Sequence, residues 1–349
     1  MLNDFTKQLQ HGLVLEPGQV TVAVSALVDE GVAPETKAAF LTALAQKGET
    51  TEEIAAFATE LRARSVLVPV DATTRSGEIL DVCGTGGDRL NTFNISTTVA
   101  LVCAAAGVTV AKHGNRAITS QAGSADVLEA LGVPVELAPE QVATALREQR
   151  FAFLFAPKFH PAFKHIAPAR KLCAERGQRT IFNFLGPLLN PARPSAQIIG
   201  VPRPELCEPM AKVLQSLGVR RGMVVCGEVP RPDGPAFLDE LSTLGETTIA
   251  EFYHDRGFAV SKLSQADFPL HSATLADLAG GDKHANAAIV QRLLKGEDRG
   301  ARRDAVLLNA AAALFVAGRV KSIAEGWELA ERVLDEGTAA AKLSELSRR

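Results

Sequence analysis

The chain has 349 residues, 46% of them apolar and 22% charged, with a formal net charge of −3. That length and composition suit one large domain or two smaller ones with a sizeable core. The slight acidity argues against broad nucleic-acid binding, which needs a basic surface, but leaves room for local basic pockets.

Residues 1 to about 70 read as all-helical. Apolar positions recur at helical spacing in Val20, Val24, Leu27 and Val28, and again in Ala38, Phe40, Leu41, Ala43 and Leu44, before Gly48. Thr50 or Thr51 is placed to cap a helix over 52–64, whose leading Glu52 and Glu53 suit the positive end of the helix dipole. Pro69 and the polar run 71–75 mark a linker. No chemical motif falls in this part, which is expected to pack on the rest of the chain or on another subunit.

At Ile79 the pattern changes to strands alternating with helices. The apolar run 79–83 leads into Gly84, Gly86, Gly87 and Asp88; then Asn94 or Ser96 is a natural N-cap for a helix over 96–106 that Gly107 stops. A strand, a glycine loop and a helix N-terminus together bind phosphate. The loop is not G-x-G-x-x-G, since Arg89 stands where the third glycine would, and no Gly-Lys-Ser/Thr follows as in a P-loop. A strand over 108–111 comes next, so a parallel pair with a right-handed crossover is expected. Residues 112–116 then emerge beside the glycine loop, at the sheet edge where open α/β folds bind ligands.

The pattern repeats. Ser124 caps a helix over 125–131 that Gly132 ends, a short apolar run spans 133–137, a helix covers 139–150, and 151–155 is fit for a buried strand. Residues 156–161 read as a loop at the same sheet edge. The stretch 163–195 is basic through His165, Arg170, Lys171, Arg176 and Arg179, and is broken by Gly186-Pro187 and Asn190-Pro191. It reads as a crossover between domains, with a helix over 167–175 packing on the N-terminal helices. Strands over 198–201, 222–226 and 247–252 and helices over 205–217, 285–295, 301–316 and 323–334 complete the α/β pattern; the third helix is nearly all apolar and so central. The Pro- and Gly-rich run 228–237 reads as a surface excursion that delivers Asp239 and Glu240.

Four polar clusters thus fall on one sheet edge: the glycine loop, 112–116, 157–160, and Asp239-Glu240. Singly, each fits a plain turn or a solvated surface; their convergence favours a site. Glycine N–H groups with Lys112 suit phosphate oxygens, and adjacent carboxylates with Ser96 suit magnesium. The implied ligand carries several phosphates held through metal. Neither G-x-S-x-G nor H-E-x-x-H occurs, and His113, His160 and His165 lack zinc-ligand spacing. The cysteines, Cys83, Cys103, Cys173, Cys207 and Cys226, are odd in number and form no C-x-x-C, which suits buried thiols in a reducing compartment. Residues 1–10 lack the apolar core of a signal peptide and the longest apolar runs are too short to span a bilayer, so a cytoplasmic location is expected.

GTGGD at 84–88, NTFNIST at 91–97, KHGNR at 112–116, GSADVLEALG at 123–132, FLFAPKFHP at 153–161 and FNFLGPLLNPA at 182–192 closely resemble the anthranilate phosphoribosyltransferase family. The resemblance extends to Asp239-Glu240 and to RDAVLLNAAAALFVAG at 303–318, and covers most of the chain from about Gly77. It implies an α/β fold of the nucleoside phosphorylase and phosphoribosyltransferase type. A small all-helical domain, residues 1–72 with the crossover at about 163–190 packing on it, would precede a large α/β domain, 76–160 and 191–349, with a mainly parallel central sheet. A homodimer through the helical domains and Mg2+, as two ions, are also implied. By matching motif, Gly84, Gly87, Asp88, Thr92, Asn94, Ile95, Ser96, Thr97, Lys112, Ser120 and Ser124 would hold phosphoribosyl pyrophosphate. Ser96, Asp239 and Glu240 would reach the metal. Asn115 and Arg170 would bind anthranilate, with Gly84, His113, Pro157 and His160 lining its path. No residue is assigned as acid or base, since an aromatic amine is already a neutral nucleophile and positioning with electrostatics suffices.

Two features depart from the family. Gln121-Ala122 stand where lysine and then serine or cysteine are usual, which removes a positive charge near the phosphates. The loop before Asp239 is longer and richer in proline. Two rival functions share the architecture: a pyrimidine nucleoside phosphorylase, against which KHGNR and Arg170 speak, and a non-catalytic nucleic-acid-binding relative, against which the acidic balance and the intact carboxylate pair count.

Overall fold

Pro17 and Pro34 each stand in the first turn of a helix, where a missing N–H costs nothing. They open the second and third members of an N-terminal bundle: α1 (Leu2–Gln10), α2 (Pro17–Val28), α3 (Pro34–Lys47) and α4 (Thr51–Ala63). Thr50 caps α4 by accepting the Glu53 N–H while the Glu53 carboxylate reaches back to the Thr50 N–H. That carboxylate is itself buried and takes the Leu15 N–H and, at 2.6 Å, the Lys47 ammonium. The computed structural model describes residues 1–117, 121–254 and 257–348.

A short α5 (Ala72–Ser76), capped by Asp71, lies in the expected linker. The chain then runs β1 (Ile79–Gly84), α6 (Ile95–Ala105), β2 (Thr109–Gly114), α7 (Ser124–Ala130), α8 (Pro139–Gln149), β3 (Phe151–Phe155) and α9 (Ala156–Phe159). A 3-10 turn (Pro161–His165), α10 (Ala167–Glu175) and α11 (Phe182–Leu188) lead to β4 (Ala196–Gly200). After these come α12 (Cys207–Ser216), β5 (Arg221–Val229), β6 (Ala236–Leu238), β7 (Thr247–Tyr253) and β8 (Gly257–Leu263). Four helices close the chain: α13 (Lys283–Leu294), α14 (Ala301–Val316), α15 (Ile323–Asp335) and α16 (Thr338–Ser347).

The sheet order is β3-β2-β1-β4-β5-β7-β8, with β6 paired to β5. From β3 to β5 every pair is parallel; β6, β7 and β8 add antiparallel. Successive residues face opposite ways, as the strand period requires. Ile198 therefore packs among α6, α14 and α15, while Ile199 packs among α12 and the N-terminal bundle. In α14 every residue from Arg303 to Val316 is buried, and Gly326 of α15 lets the two helices touch: a Cβ there would lie 2.5 Å from the Ala311 carbonyl oxygen.

Several local expectations change. Residues 156–159 are helical rather than loop, and the apolar run 133–137 is irregular backbone that drops Val133, Val135 and Leu137 into the core. The Gly186-Pro187 pair does not break the chain; α11 runs through it, with Pro187 inside the helix at the cost of one bond to the Asn183 carbonyl. The 228–237 excursion is largely a hairpin, because β5 continues to Val229 and β6 returns against it. Strand β8 was not legible because it is mostly exposed and lacks apolar alternation. Among the described residues no helix is long and apolar enough to cross a membrane.

The crossover shares an apolar core with the bundle through Ile166, Ala169 and Cys173, and Lys37, which is 1% exposed, adds a polar tie. Its ammonium donates to the carbonyls of Asp29 at 2.6 Å and of His165 at 2.8 Å. Lys37→Met is expected to destabilise the chain by about 1–3 kcal/mol, since two partly buried carbonyls lose a charged donor. Urea unfolding, with limited proteolysis within 163–190, measures this.

Candidate active site

Gly84 ends β1 and Gly200 ends β4, and the parallel register places the two side by side. A Cβ on Gly84 would lie 2.2 Å from Asp239 Oδ2, and one on Gly200 1.4 Å from the Asp239 carbonyl oxygen. Asp239 therefore sits in a notch that only two glycines can leave open. The Thr85 N–H donates to the Gly200 carbonyl at 2.9 Å, and the Gly86 N–H donates to Asp239 Oδ2 at 2.7 Å. Gly86 and Gly87 then turn the chain with φ of +72° and +99°. Arg89 and Asn91 also have positive φ, 58° and 52°, a conformation that costs a non-glycine residue on the order of 1–3 kcal/mol and clusters at functional loops.

Three acids meet at this point. Asp239 is pushed up to about 7, first by burial and then by the charge of Asp88, with the Gly86 N–H partly offsetting both. Glu240 lies well above the usual carboxylate range, through burial and then Asp239, against the pull of Lys112 and the Ser96 N–H. Burial also raises Asp88, which accepts a hydrogen bond from Asp239. Among the described residues no three His, Cys, Asp or Glu side chains enclose a metal by themselves. Buried, mutually repelling carboxylate oxygens beside a serine hydroxyl nevertheless fit Mg2+, which is commonly held by one or two carboxylates plus substrate phosphates.

Lys112 does not project from the sheet edge. It is 2% exposed on β2, and its ammonium donates to the Val82 carbonyl at 2.6 Å and the Ser96 hydroxyl at 3.4 Å. It acts from below, through its field on Glu240 and its hold on Ser96. Asn94 occupies the N-cap position of α6 without capping it. Its amide instead donates to the Ala122 carbonyl at 3.4 Å and accepts from Asn286 at 2.9 Å. Ile95 points into the core and its N–H goes to the Phe93 carbonyl at 2.7 Å, so it presents nothing to a ligand. Thr97 is fully buried with its hydroxyl unpartnered, and Thr92 is half-buried, bridged to Ala279. The Ser124 hydroxyl, at the start of α7, donates to the Asn115 carbonyl at 3.4 Å and sits over Gly114. Ser120 lies outside the described residues.

A second wall follows from β2. His113 and His160 meet edge to face with centroids 5.2 Å apart; His160 lies 5.1 Å from Phe163, and Phe163 5.7 Å from Phe182. The Arg170 guanidinium stacks over Phe182 at 5.3 Å. Burial lowers the Arg170 pKa, and no acid partner offsets it among the described residues. Burial, with His160 as neighbour, lowers His113 to about 3, and burial lowers His160 to about 4. Both rings are therefore neutral at ordinary pH, and each Nε2 is buried without a partner. Pro157 is exposed on α9, and the Asn115 side chain accepts its neighbour's N–H at 2.8 Å. Arg116 is committed to Glu129, Asp126 and Glu136. Cys83 is no nucleophile, since burial pushes its thiol well up.

Comparison with known proteins decides the family. Residues 76–340 match the α/β domain of a glycosyl transferase family, and 3–65 match its helical bundle domain. Over 349 residues the chain is 44% identical to the anthranilate phosphoribosyltransferase of Rubrobacter xylanophilus, covering 100% of this chain and 97% of that protein. That of Herpetosiphon aurantiacus is 48% identical over 313 residues, 90% of this chain and 88% of its own. The chain belongs to the anthranilate phosphoribosyltransferase family. The crystal structure of the Thermus thermophilus anthranilate phosphoribosyltransferase superposes with a TM-score of 0.87 at 44% identity, covering 99% and 98% of the two chains. The Saccharomyces cerevisiae anthranilate phosphoribosyltransferase in complex with phosphoribosyl pyrophosphate and Mg gives 0.85 at 29% identity, over 99% and 96%.

In this member of the anthranilate phosphoribosyltransferase family, four polar residues given no role by the sequence reading also hold the site. Asp81, fully buried in β1, accepts from Asn190 at 2.9 Å, from the His113 N–H at 3.3 Å and from Gln197 at 3.4 Å. Asn190 also donates to the Ala111 carbonyl at 2.7 Å. The fourth, Asn286 of α13, donates to the Asn94 side chain at the start of α6 at 2.9 Å and accepts the Gly281 N–H at 2.8 Å. The only signal available for Asp81 was a carboxylate inside an apolar run.

Gly200→Ala is expected to displace Asp239 and abolish turnover while leaving the far-ultraviolet circular dichroism intact. Burial raises Asp81 to about 6, so the native chain keeps a proton that the unfolded chain releases near pH 4. This group therefore lowers stability as pH rises from about 4 to about 6, by on the order of 2–3 kcal/mol. Asp81→Asn should remove that part of the slope in denaturant titrations across the window.

Proposed function

We propose that this chain transfers the phosphoribosyl group of 5-phosphoribosyl 1-pyrophosphate to the amine of anthranilate, giving N-(5-phosphoribosyl)anthranilate and pyrophosphate, in tryptophan biosynthesis. The observation that carries the reading is the Gly86 N–H to Asp239 bond of 2.7 Å, which joins the phosphate-type loop to the acids. The C1–O bond breaks with its electron pair leaving on pyrophosphate; the anthranilate nitrogen bonds to C1 and its proton passes to solvent or to the departing pyrophosphate. The nucleoside phosphorylase and nucleic-acid-binding alternatives are not favoured by relatives named for the anthranilate reaction.

Gly84, Gly87, Asp88, Thr92, Asn94, Thr97, Ser120 and Ser124 bind and orient the donor in this reading. Ser96, Asp239 and Glu240 hold Mg2+, as two ions, and Lys112 fixes Ser96 and Glu240 from beneath. When bound, the metal supplies positive charge against the departing pyrophosphate. Loop N–H groups add fixed dipoles aimed at the same oxygens, which is transition-state stabilisation by preorganisation. Arg170 offers a planar fork to the anthranilate carboxylate. His113 and His160, neutral and with free Nε2 atoms, wall the acceptor's path together with Asn115 and Pro157. The amine needs no strong base.

The same reading divides the chain into a helical domain, 1–72 with 163–190, and an α/β domain, 76–160 and 191–349. It makes the enzyme a cytoplasmic homodimer joined through the helical domains. Loss of anthranilate fluorescence, with phosphoribosyl pyrophosphate and magnesium omitted in turn, tests the reaction; turnover on thymidine and phosphate instead would reverse it. Arg170→Ala is expected to raise the anthranilate KM at least about tenfold, the value of one charged contact, with the donor KM little changed. For Asp239→Asn, a magnesium titration of the rate should shift to higher concentration; an unaltered curve removes that residue from the metal.

A further inference from the structure

At the far end of the parallel strands from Asp239, a solvent-open cavity of about 560 Å3 lies between the helical bundle and the sheet. Its walls come from α4, the linker at α5, the start of β1, the turn before β4 and the end of α12. Four arginines line it: Arg62, Arg75, Arg193 and Arg220. Arg220 is paired with Glu78 at 3.1 Å, and the Ser195 hydroxyl donates to the other oxygen of that carboxylate. Among the described residues, the guanidinium groups of Arg62, Arg75 and Arg193 have no hydrogen-bond or ion-pair partner. Burial and the like charge of Arg193 both push Arg62 and Arg75 down. Arg193 is itself held in the left-handed region, φ 51°, between Pro191 and Pro194, with its N–H on the Asn190 carbonyl at 3.1 Å. A strained residue keeps such a conformation only where its surroundings over-determine it.

Like charges gathered around a concavity, with one carboxylate among four guanidinium groups, are a cost to the fold unless an anion completes them. The cavity is of small-molecule size, and several planar forks converging on one space match phosphate oxygens bidentately. We propose that this cavity binds a small phosphorylated anion carrying at least two negative charges, at a site separate from the catalytic loop. The occupant would bridge α4 of the bundle to the strand starts of the α/β sheet.

Calorimetric titration of the full chain with tripolyphosphate, in EDTA and low salt, tests this against the double variant R62Q/R193Q. The expected result is that one binding event, weakening with added salt, is lost or loosened about tenfold or more in the variant, while any event at the glycine loop persists. With no anion present the variant should melt no lower than the wild type, since it removes repulsion; if it does not fold, R75Q on the exposed α5 gives the same comparison. Identical isotherms for wild type and folded variant overturn the proposal. Tighter binding of citrate than of tripolyphosphate overturns the phosphate assignment. Binding of a polyglutamate peptide alone overturns it in favour of an acidic protein segment.

Discussion

The contact on which the site depends is a steric one: Asp239 lies over Gly84 and Gly200, where a single methyl group on either glycine would overlap it. The parallel register places the two glycines on neighbouring strands at the same level. Because the notch is made of backbone, the Asp239 carboxylate comes close enough to accept a loop N–H, and the Asp88 side chain adds a second link from the loop to the same acid. Positive φ at Gly86 and Gly87 then turns the chain away from the acids it has just met.

Electrostatics complete what sterics allow. Three carboxylates at one place would repel a fourth negative group, yet the reaction assigned to this site brings in a pyrophosphate. The buried ammonium of Lys112 counters part of that charge from beneath, and a bound divalent cation would counter the rest. Asp81 belongs to a different balance. Its partners Asn190 and Gln197 join the crossover and β4 to β1, so its carboxylate orders the sheet behind the histidine wall rather than the ligand. The wall keeps two imidazoles dry and uncharged and ends in the Arg170 guanidinium, which is what the acceptor role proposed for it requires.

Much of this could be read from the chain itself where the signal is local. Gly84, Gly86 and Gly87 after an apolar run announced a turn at a strand end, and the nearly all-apolar helix over 301–316 stands as α14 with the same limits. Where the cause is distant, the residues were silent. Nothing near Gly200 says that it must lack a side chain, because the reason arrives at Asp239. Lys112 looked like an edge cation because the strand limit was set two residues before the true end of the burial pattern. Asn94 looked like a cap because a cap is the commonest use of asparagine before a helix; its actual partner, Asn286, is 192 residues away. Strand β8 is held by its pairing with β7, and an exposed edge strand carries little pattern to find.

The distance along the chain between the glycine bend and the acid that braces it has a consequence for synthesis. Gly86 and Asp239 are separated by 153 positions. On the ribosome the bend emerges long before its brace does, and at rates of roughly 5–20 residues per second it waits on the order of ten seconds or more. The glycine turn cannot take its braced form in that interval. Any product cut short before Asp239 would carry the glycine turn without the carboxylate that accepts its N–H.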